Sequence, residues 1–311
     1  MRLACGAALL LVAATAAAAA DIVTVTINGN VATATMSIDD TIGRTHHGIV
    51  TITFDEVQHL TATSLGLTAF AVNPNDPALV TRLCGTPLPC GISVDPDFPV
   101  MVRVEPPTHG VNWLFRSSFE SNEDWPADLF FRNSYTLEVH TTELTFTAPT
   151  PYRLFKAPVG GAFADYSDYV CSGSVRARDR DGGFSDFLMV RDTRPDLTVA
   201  LAKSVDLRLR TTSSGLLPAV VALLTGLLDQ LDADIALAQL NLIPYSTTVT
   251  DTETLLAQIA ASSAAGDLPN SWRAAHDLDN VAGNLAGRTA SLRYNLRRLA
   301  APGSPEACPS P

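Results

Sequence analysis

Alternating apolar and polar residues fill the first two thirds of the chain. In residues 174–180, Val175 and Ala177 point to one face while three arginines point to the other, which is the two-residue period of a half-buried strand. Similar segments bounded by turn-forming residues predict roughly a dozen short strands. The other segments are residues 22–27, 31–38, 48–57, 65–72, 99–104, 113–119, 128–131, 135–140, 143–147, 152–155, 187–190 and 197–209. This pattern is typical of an antiparallel β-sandwich or of two small β units.

The turn signal Asp181-Gly182-Gly183 separates the strand at 174–180 from the apolar run at 187–190. Glycine and aspartate tolerate the positive φ values of tight hairpin turns. The sequence therefore predicts that these two strands form a β-hairpin near the end of the β region.

Helical periodicity replaces the alternation after residues 211–215, a polar segment that we interpret as a linker. Residues 216–242 predict one long helix with Pro218 in its first turn. The segment Thr250-Asp-Thr-Glu253 has the pattern of a capping box and predicts a second helix through Ala261. A third helix is predicted from Asn270 or Ser271 to about residue 299. The predicted fold class is segregated α+β, with an antiparallel β-sandwich-like domain followed by an antiparallel helical bundle.

The chain begins with one basic residue, a short apolar core and an alanine run, the pattern of a secretory signal peptide cleaved between Ala20 and Asp21. We expect a signal peptide at 1–20, a β-rich domain at 21–212, a helical domain at 213–300 and an extended proline-rich tail at 301–311. The apolar segment 216–228 is too short to span a bilayer. The sequence therefore predicts a secreted or periplasmic protein without a transmembrane segment in the mature chain.

Four cysteines follow the predicted cleavage site, and an even number in an exported chain favours disulfide bonds. Cys84 and Cys90 flank a short loop rich in turn formers, so we expect them to pair with each other. Cys171 and Cys308 then pair by elimination and tie the tail to the β domain.

The charge of the chain is −11, and losing Arg2 with the signal peptide makes it −12. An acidic chain does not favour nucleic acid, whose phosphates need a basic surface. The basic residues are nearly all arginines, and alanine is abundant, a composition typical of a high-GC bacterial genome.

Metal-ligating candidates are weak, and we expect no cofactor. His46 and His47 precede one strand and His59 follows it, but neighbouring residues of a strand point to opposite faces. Clustered carboxylates at 179–181 and at 120–128 are conceivable calcium ligands, although neither segment has calcium-loop spacing. Solvent-exposed histidines and ordinary turns are the simpler interpretations.

No nucleophile elbow, zinc-protease helix, phosphate loop or dinucleotide turn is present. We therefore interpret the chain as a non-enzymatic binding or structural module with an unknown envelope or extracellular partner. The alternative is a secreted hydrolase that uses His109 or His140 with an acidic partner in loops of the β domain. Aromatic side chains that would suit a sugar-binding platform are Trp113, Trp125, Tyr166, Tyr169 and Trp272.

Overall fold

The computed structural model describes residues 21–85, 90–108, 128–171, 174–276 and 278–304. The strands are β1 Ile22–Asn28, β2 Val31–Asp39, β3 Thr45–Gln58, β4 Leu67–Ala71, β5 Ile92–Val94, β6 Val100–Val104, β7 Phe130–Thr145, β8 Tyr152–Ala157, β9 Ala164–Asp165, β10 Ser167–Cys171, β11 Ser174–Asp181, β12 Asp186–Asp192 and β13 Ser271–Arg273. The helices are α1 Ala62–Leu65, α2 Pro77–Cys84, α3 Asp196–Ser213, α4 Pro218–Gln239, α5 Tyr245–Ala264 and α6 Val281–Ala300. The protein thus has antiparallel sheets in its N-terminal part and helices mostly in its C-terminal part.

The strands form two antiparallel sheets. The first sheet has the order β1-β2-β3-β7-β11-β10, with β13 paired to β7, and the second has the order β4-β6-β12-β8-β9, with β5 paired to β12. Inward-facing residues of both sheets, such as Val50 and Leu137 of the first and Val102 and Phe187 of the second, belong to one hydrophobic cluster. A separate cluster covers the other face of the second sheet and includes Leu83 of α2.

The predicted hairpin of 174–180 with 187–190 is wrong. β11 pairs with β10 and β7 in the first sheet, whereas β12 pairs with β5, β6 and β8 in the second. Asp181-Gly182-Gly183 therefore carries the chain from one sheet to the other. β12 is covered on both faces, as its continuous apolar run indicates, and it lies in the middle of its own sheet.

The predicted strand at 197–209 is also wrong, because this segment lies within helix α3. Its buried residues Val199, Lys203, Leu207 and Thr211 recur every four positions, which is a helical period. Leucine and valine residues at alternating positions of this segment resemble the pattern of a strand. The buried residues, however, recur at the spacing of a helix.

Other boundaries also differ from expectation. The strands predicted at 128–131, 135–140 and 143–147 largely merge into the single strand β7. The predicted capping box at 250–253 lies inside α5, which begins at Tyr245. The third predicted helix divides into β13 and α6, whose N-cap Asn280 accepts a hydrogen bond from the backbone N–H of Gly283. The long helix predicted at 216–242 is present as α4.

Helix α6 lies against the first sheet and against α3 and α5. Two of its glycines permit this close approach: a Cβ on Gly283 would lie 2.3 Å from the carbonyl oxygen of Asn133, and one on Gly287 would lie 2.0 Å from that of Arg180. Both distances are shorter than any real contact, so only glycine fits. Leu285, Leu292 and Leu296 of α6 join the hydrophobic cluster of the helices.

Cys84 and Cys90 form the predicted disulfide bond. Cys171 is also disulfide-bonded, but Cys308 lies outside the described residues, so their pairing stays a prediction. Within the described part of the chain, no helix is both long enough and apolar enough to cross a membrane.

Candidate functional site

A cleft of about 620 Å³ lies between the first sheet and helices α5 and α6. Its sheet side is polar, and the residues that line it are Asp55, Glu56, Asn133, Ser134, Asp168, Arg178 and Arg180. Its helix side is largely apolar: the apolar residues that line it are Leu256, Ile259, Ala260, Ala264, Ala282, Ala286 and Ala290, and they are joined by Ser263, Gly283 and Arg293. The cleft is therefore amphipathic and has the volume of a small-molecule site.

The strand period places two arginines in this cleft. Val175 and Ala177 of β11 are buried in the hydrophobic cluster, whereas Arg178 and Arg180 lie on the opposite, half-buried face. Arg178 donates two hydrogen bonds to Asp168 Oδ2, with its Nη2 at 2.6 Å and its Nε at 3.1 Å. Its guanidinium also lies 4.1 Å from the ring centre of Tyr169. These contacts fix Arg178 at the edge of the cleft.

Arg293 of α6 reaches the same end of the cleft. Its Nη2 is 3.5 Å from Asp168 Oδ1, and its Nε has no hydrogen-bond acceptor among the described residues. Burial and the nearby Arg297 lower the pKa of Arg293, while Asp168 opposes that shift. This arginine keeps hydrogen-bonding capacity that the described protein groups do not use.

Arg180 makes no side-chain hydrogen bond or ion pair with any described residue. Its charge is close enough to Arg293 to contribute to the lowered pKa of that group. Three arginines and one aspartate thus line this end of the cleft. In a chain of net charge −11, this local excess of positive charge would attract an anionic group.

The opposite end of the cleft is built at a bulge between β3 and β7. Asp55 Oδ2 accepts hydrogen bonds from the Ser134 backbone N–H at 3.0 Å and from the Ser134 hydroxyl at 2.7 Å. A bulge re-aims side chains that a regular ladder would place elsewhere. This end offers neutral and acidic polar groups, so a bound anion would lie at the arginine end.

The three histidines considered as weak metal-ligand candidates do not lie together. His46 is buried on β3, with Nδ1 2.7 Å from Glu143 Oε2 and Nε2 3.2 Å from Asp40 Oδ2. His47 is on the opposite, exposed face, and His59 follows the far end of β3, roughly 40 Å from His46 at the rise of a strand. No group of three or more potential ligands in the described residues could hold a metal ion.

The carboxylates at 179–181 do not form an exposed loop. Asp179 and Asp181 continue the inward face of Val175 and Ala177 and are fully buried, with Asp181 Oδ2 2.5 Å from Lys156 Nζ. Because Asp179 and Asp181 are buried and the ammonium group of Lys156 contacts Asp181, this segment is not a calcium-binding loop. Residues 120–127 of the other acidic segment lie outside the described residues.

Of the two histidines that the hydrolase hypothesis uses, the structure describes only His140. His109 lies outside the described residues. His140 of β7 has Nε2 2.5 Å from the Ser174 hydroxyl oxygen, and burial and Arg176 lower its pKa while Glu138 opposes this. Among described residues, no carboxylate accepts a hydrogen bond from its Nδ1. The pair is a serine–histidine dyad without the orienting acid of a triad.

Those aromatic residues of the suggested sugar-binding platform that the structure describes do not form one exposed surface. Trp272 is buried and stacks on Phe131 with ring centres 5.1 Å apart, Tyr166 lies 3.5 Å under the guanidinium of Arg288, and Tyr169 contacts Arg178. Trp113 and Trp125 lie outside the described residues. Those that are described contribute to packing.

The sequence analysis did not select Arg180, Arg293 or Lys156. The alternation of β11 does place Arg180 on the outer face, but the other walls of the cleft come from β3, α5 and α6, which are distant in sequence. For Lys156 a signal existed: the chain has two lysines, Lys156 and Lys203, and the same alternation puts Asp179 and Asp181 on a buried face that requires a cation.

The fold and the cleft define a mixed α+β protein whose helices enclose an amphipathic cleft against an antiparallel sheet. Residues 6–300 match the model of a family described as a family of unknown function, DUF6689, and the chain belongs to this family. No curated protein matches the chain and no solved structure matches it.

Proposed function

We propose that the protein is a non-enzymatic binding module that holds a small amphipathic anion in the cleft between the first sheet and helices α5 and α6. The observation that carries this proposal is Arg180, a cationic side chain in the cleft without an acidic partner among the described residues. A carboxylate or phosphate would bind Arg180 and Arg293, and the apolar body of the ligand would lie along α5 and α6.

Calorimetric titration with decanoate tests the proposal, with decyltrimethylammonium as the probe of opposite charge. We expect decanoate to bind and the cation to bind at least about tenfold more weakly, because a charge-assisted hydrogen bond contributes roughly 1.5–3 kcal/mol. Arg180→Ala should weaken decanoate binding by about tenfold or more.

Arg176→Ala is the matched control. Arg176 lies on the same strand and the same face as Arg180, but it is exposed, forms an ion pair with Glu138 at 3.8 Å and does not line the cleft. Decanoate binding should be unchanged in this variant. Equal weakening in both variants, or no preference for the anion, would contradict the proposal.

A hydrolase remains the second candidate, supported by the 2.5 Å contact between His140 Nε2 and Ser174. A serine activated by this histidine should react with a fluorophosphonate probe. Labelling that disappears in the Ser174→Ala variant would favour the hydrolase. If Ser174 is not labelled, the binding module remains the proposed function.

We further propose that the protein is exported and that its envelope or extracellular location supplies the ligand or partner. The N-terminal sequence pattern and the Cys84–Cys90 disulfide bond support export, because disulfides persist in oxidising compartments. Sequencing the N-terminus of the protein recovered from the extracytoplasmic fraction tests this, with Asp21 as the expected first residue. We also propose a β-sandwich for the two sheets and an antiparallel bundle for the helices.

A further inference from the structure

Both lysines of the chain are buried against aspartates, and the environment of Lys156 is unusual. Lys156 of β8 is 5% exposed and Asp181 at the end of β11 is 2% exposed, and Lys156 Nζ is 2.5 Å from Asp181 Oδ2. Nζ also donates to the Tyr135 hydroxyl at 3.1 Å and to the Gly183 carbonyl oxygen. The amine therefore lies within reach of the Asp181 carboxyl carbon.

Aromatic rings surround this pair. The ring centres of Tyr135, Tyr166 and Phe187 lie 5.3–5.5 Å from Lys156 Nζ. Removing two charges from water is costly in such surroundings. Conversion of the ion pair into a neutral amide would remove that cost.

Asp179 is a second acid on the same face of β11, two residues before Asp181. Neither of its carboxyl oxygens has a hydrogen-bond partner of good geometry among the described residues. Burial raises the pKa of Asp179 well above its ordinary value; Lys156 opposes this shift and Asp181 adds to it. Asp179 is therefore a second buried acid on this face of β11; its raised pKa favours the protonated form, and the described residues give its carboxyl oxygens no hydrogen-bond partner.

Two features of the Asp181 carboxyl group would favour attack on its carbon by the Lys156 amine. Its Oδ1 accepts a hydrogen bond from the Gly182 backbone N–H at 2.5 Å, which would stabilise negative charge developing on that oxygen. Burial raises the pKa of Asp181 although Lys156 opposes the shift, which favours the uncharged acid. A cavity of about 400 Å³ lined by both Lys156 and Asp181 offers a path for a small product.

We propose that Lys156 and Asp181 form an intramolecular isopeptide bond. A proton passes from Lys156 to Asp181, the neutral Nζ attacks Cγ of Asp181, and one C–N bond forms. Asp179, protonated at the start, gives its proton to the departing hydroxyl and takes one from Nζ, so that one C–O bond breaks and water leaves. The ammonium and carboxylate together become one amide and one water, and Asp179 is regenerated.

The product would join β8 of the second sheet to β11 of the first, 25 residues apart in sequence. The Tyr135 hydroxyl donates to the Gly183 carbonyl oxygen at 2.7 Å, so neither group loses its partner when the ammonium disappears.

Lys203 is an internal contrast. Its Nζ is 2.7 Å from Asp165 Oδ2 and donates to the hydroxyl of Ser291 and to Asn295 Oδ1, both at 2.7 Å. Burial would raise the pKa of Asp165, but Lys203 and Arg153 hold it below its ordinary value. A carboxylate that stays ionised is a poorer electrophile than a neutral acid, so we expect no amide bond at this pair.

Mass spectrometry of the reduced, denatured protein tests the proposal. We expect the mass to lie below that of the processed sequence by one water molecule, and we expect proteolysis to release a branched peptide containing both Lys156 and Asp181. Separate linear peptides that cover Lys156 and Asp181, with the Lys156 amine open to acylation, would overturn the proposal.

One variant tests the role of Asp179, and a second variant, at Asp165, serves as its control. Asp179→Asn should leave most of the protein without the water loss, and persistence of the full loss would overturn the role given to Asp179. Asp165→Asn, which alters the acid beside the other buried lysine, should retain the branched peptide at Lys156. The measurement on the unaltered protein decides the existence of the bond even if a variant does not fold.

Discussion

Gly287 of α6 lies directly against the backbone carbonyl of Arg180 in β11, and a Cβ at Gly287 would be 2.0 Å from that oxygen. The contact holds α6 against the strand that carries Arg178 and Arg180, so the helix wall and the cationic end of the cleft are positioned together.

Gly287→Ala should therefore destabilise the protein by about 1–3 kcal/mol, because overpacking forces backbone shifts. Urea unfolding measures the change. Gly226→Ala on α4 is the matched control: nothing lies within 4 Å of its Cβ position and its φ is helical, so the free energy of unfolding should stay equal or rise by up to about 1 kcal/mol. A Gly287→Ala variant as stable as the unaltered protein would contradict the close contact.

Asp251 of α5 gives the free energy of unfolding a pH dependence. Burial and the facing Asp234 of α4 raise its pKa from 3.8 to about 6, and Gln230 donates to Asp234 at 2.9 Å. The folded state binds this proton more tightly than the unfolded chain, so the stabilising contribution is complete below pH 3.8 and is lost as the pH rises through about 6.

Asp251→Asn should flatten this part of the pH profile. Because Asp251 is partly exposed, we expect a difference of no more than about 1 kcal/mol between about pH 5 and about pH 7. Asp267→Asn alters an exposed aspartate just after α5 and should leave the slope unchanged. An unaltered slope in the Asp251 variant would show that another group titrates.

Lys203→Met should destabilise the protein by about 3–5 kcal/mol, because it leaves Asp165 buried without its cation. Adding Asp165→Asn should recover part of that loss, since an amide has no charge to desolvate. Chemical unfolding of the two single variants and the double variant measures the coupling energy. If the changes in the free energy of unfolding of the two single variants simply add in the double variant, the two side chains do not interact directly.

Cys171 should be linked to Cys308. The Cys171 side chain is buried and disulfide-bonded, and Cys84 and Cys90 are paired with each other. Peptide mapping without reductant should recover a fragment that joins β10 to the C-terminal tail. A fragment linking Cys171 to any other cysteine, or both residues as free thiols, would contradict the prediction.

Part of the candidate site follows from the sequence. The alternation of β11 assigns Val175 and Ala177 inward and Arg178 and Arg180 outward, and the structure confirms these faces. The same alternation, extended by four residues, buries Asp179 and Asp181. The sequence analysis placed Asp179 in the strand at 174–180 and Asp181 in a hairpin turn, and it assigned neither residue to a buried face. The glycines after Asp181 resembled a hairpin signal, whereas a Cβ at Gly182 would lie 2.7 Å from the carbonyl oxygen of Asn280.

The sequence by itself determined the faces of individual strands, the long helix α4 and the pairing of Cys84 with Cys90, because these depend on backbone period and on residues close in the chain. The tertiary structure alone decided that β11 and β12 belong to different sheets, that residues 197–209 are helical, and that Lys156 meets Asp181. The physical reason is that strand pairing and charge burial depend on which distant segments exclude water from one another. The spacing of residues within one segment does not specify that choice.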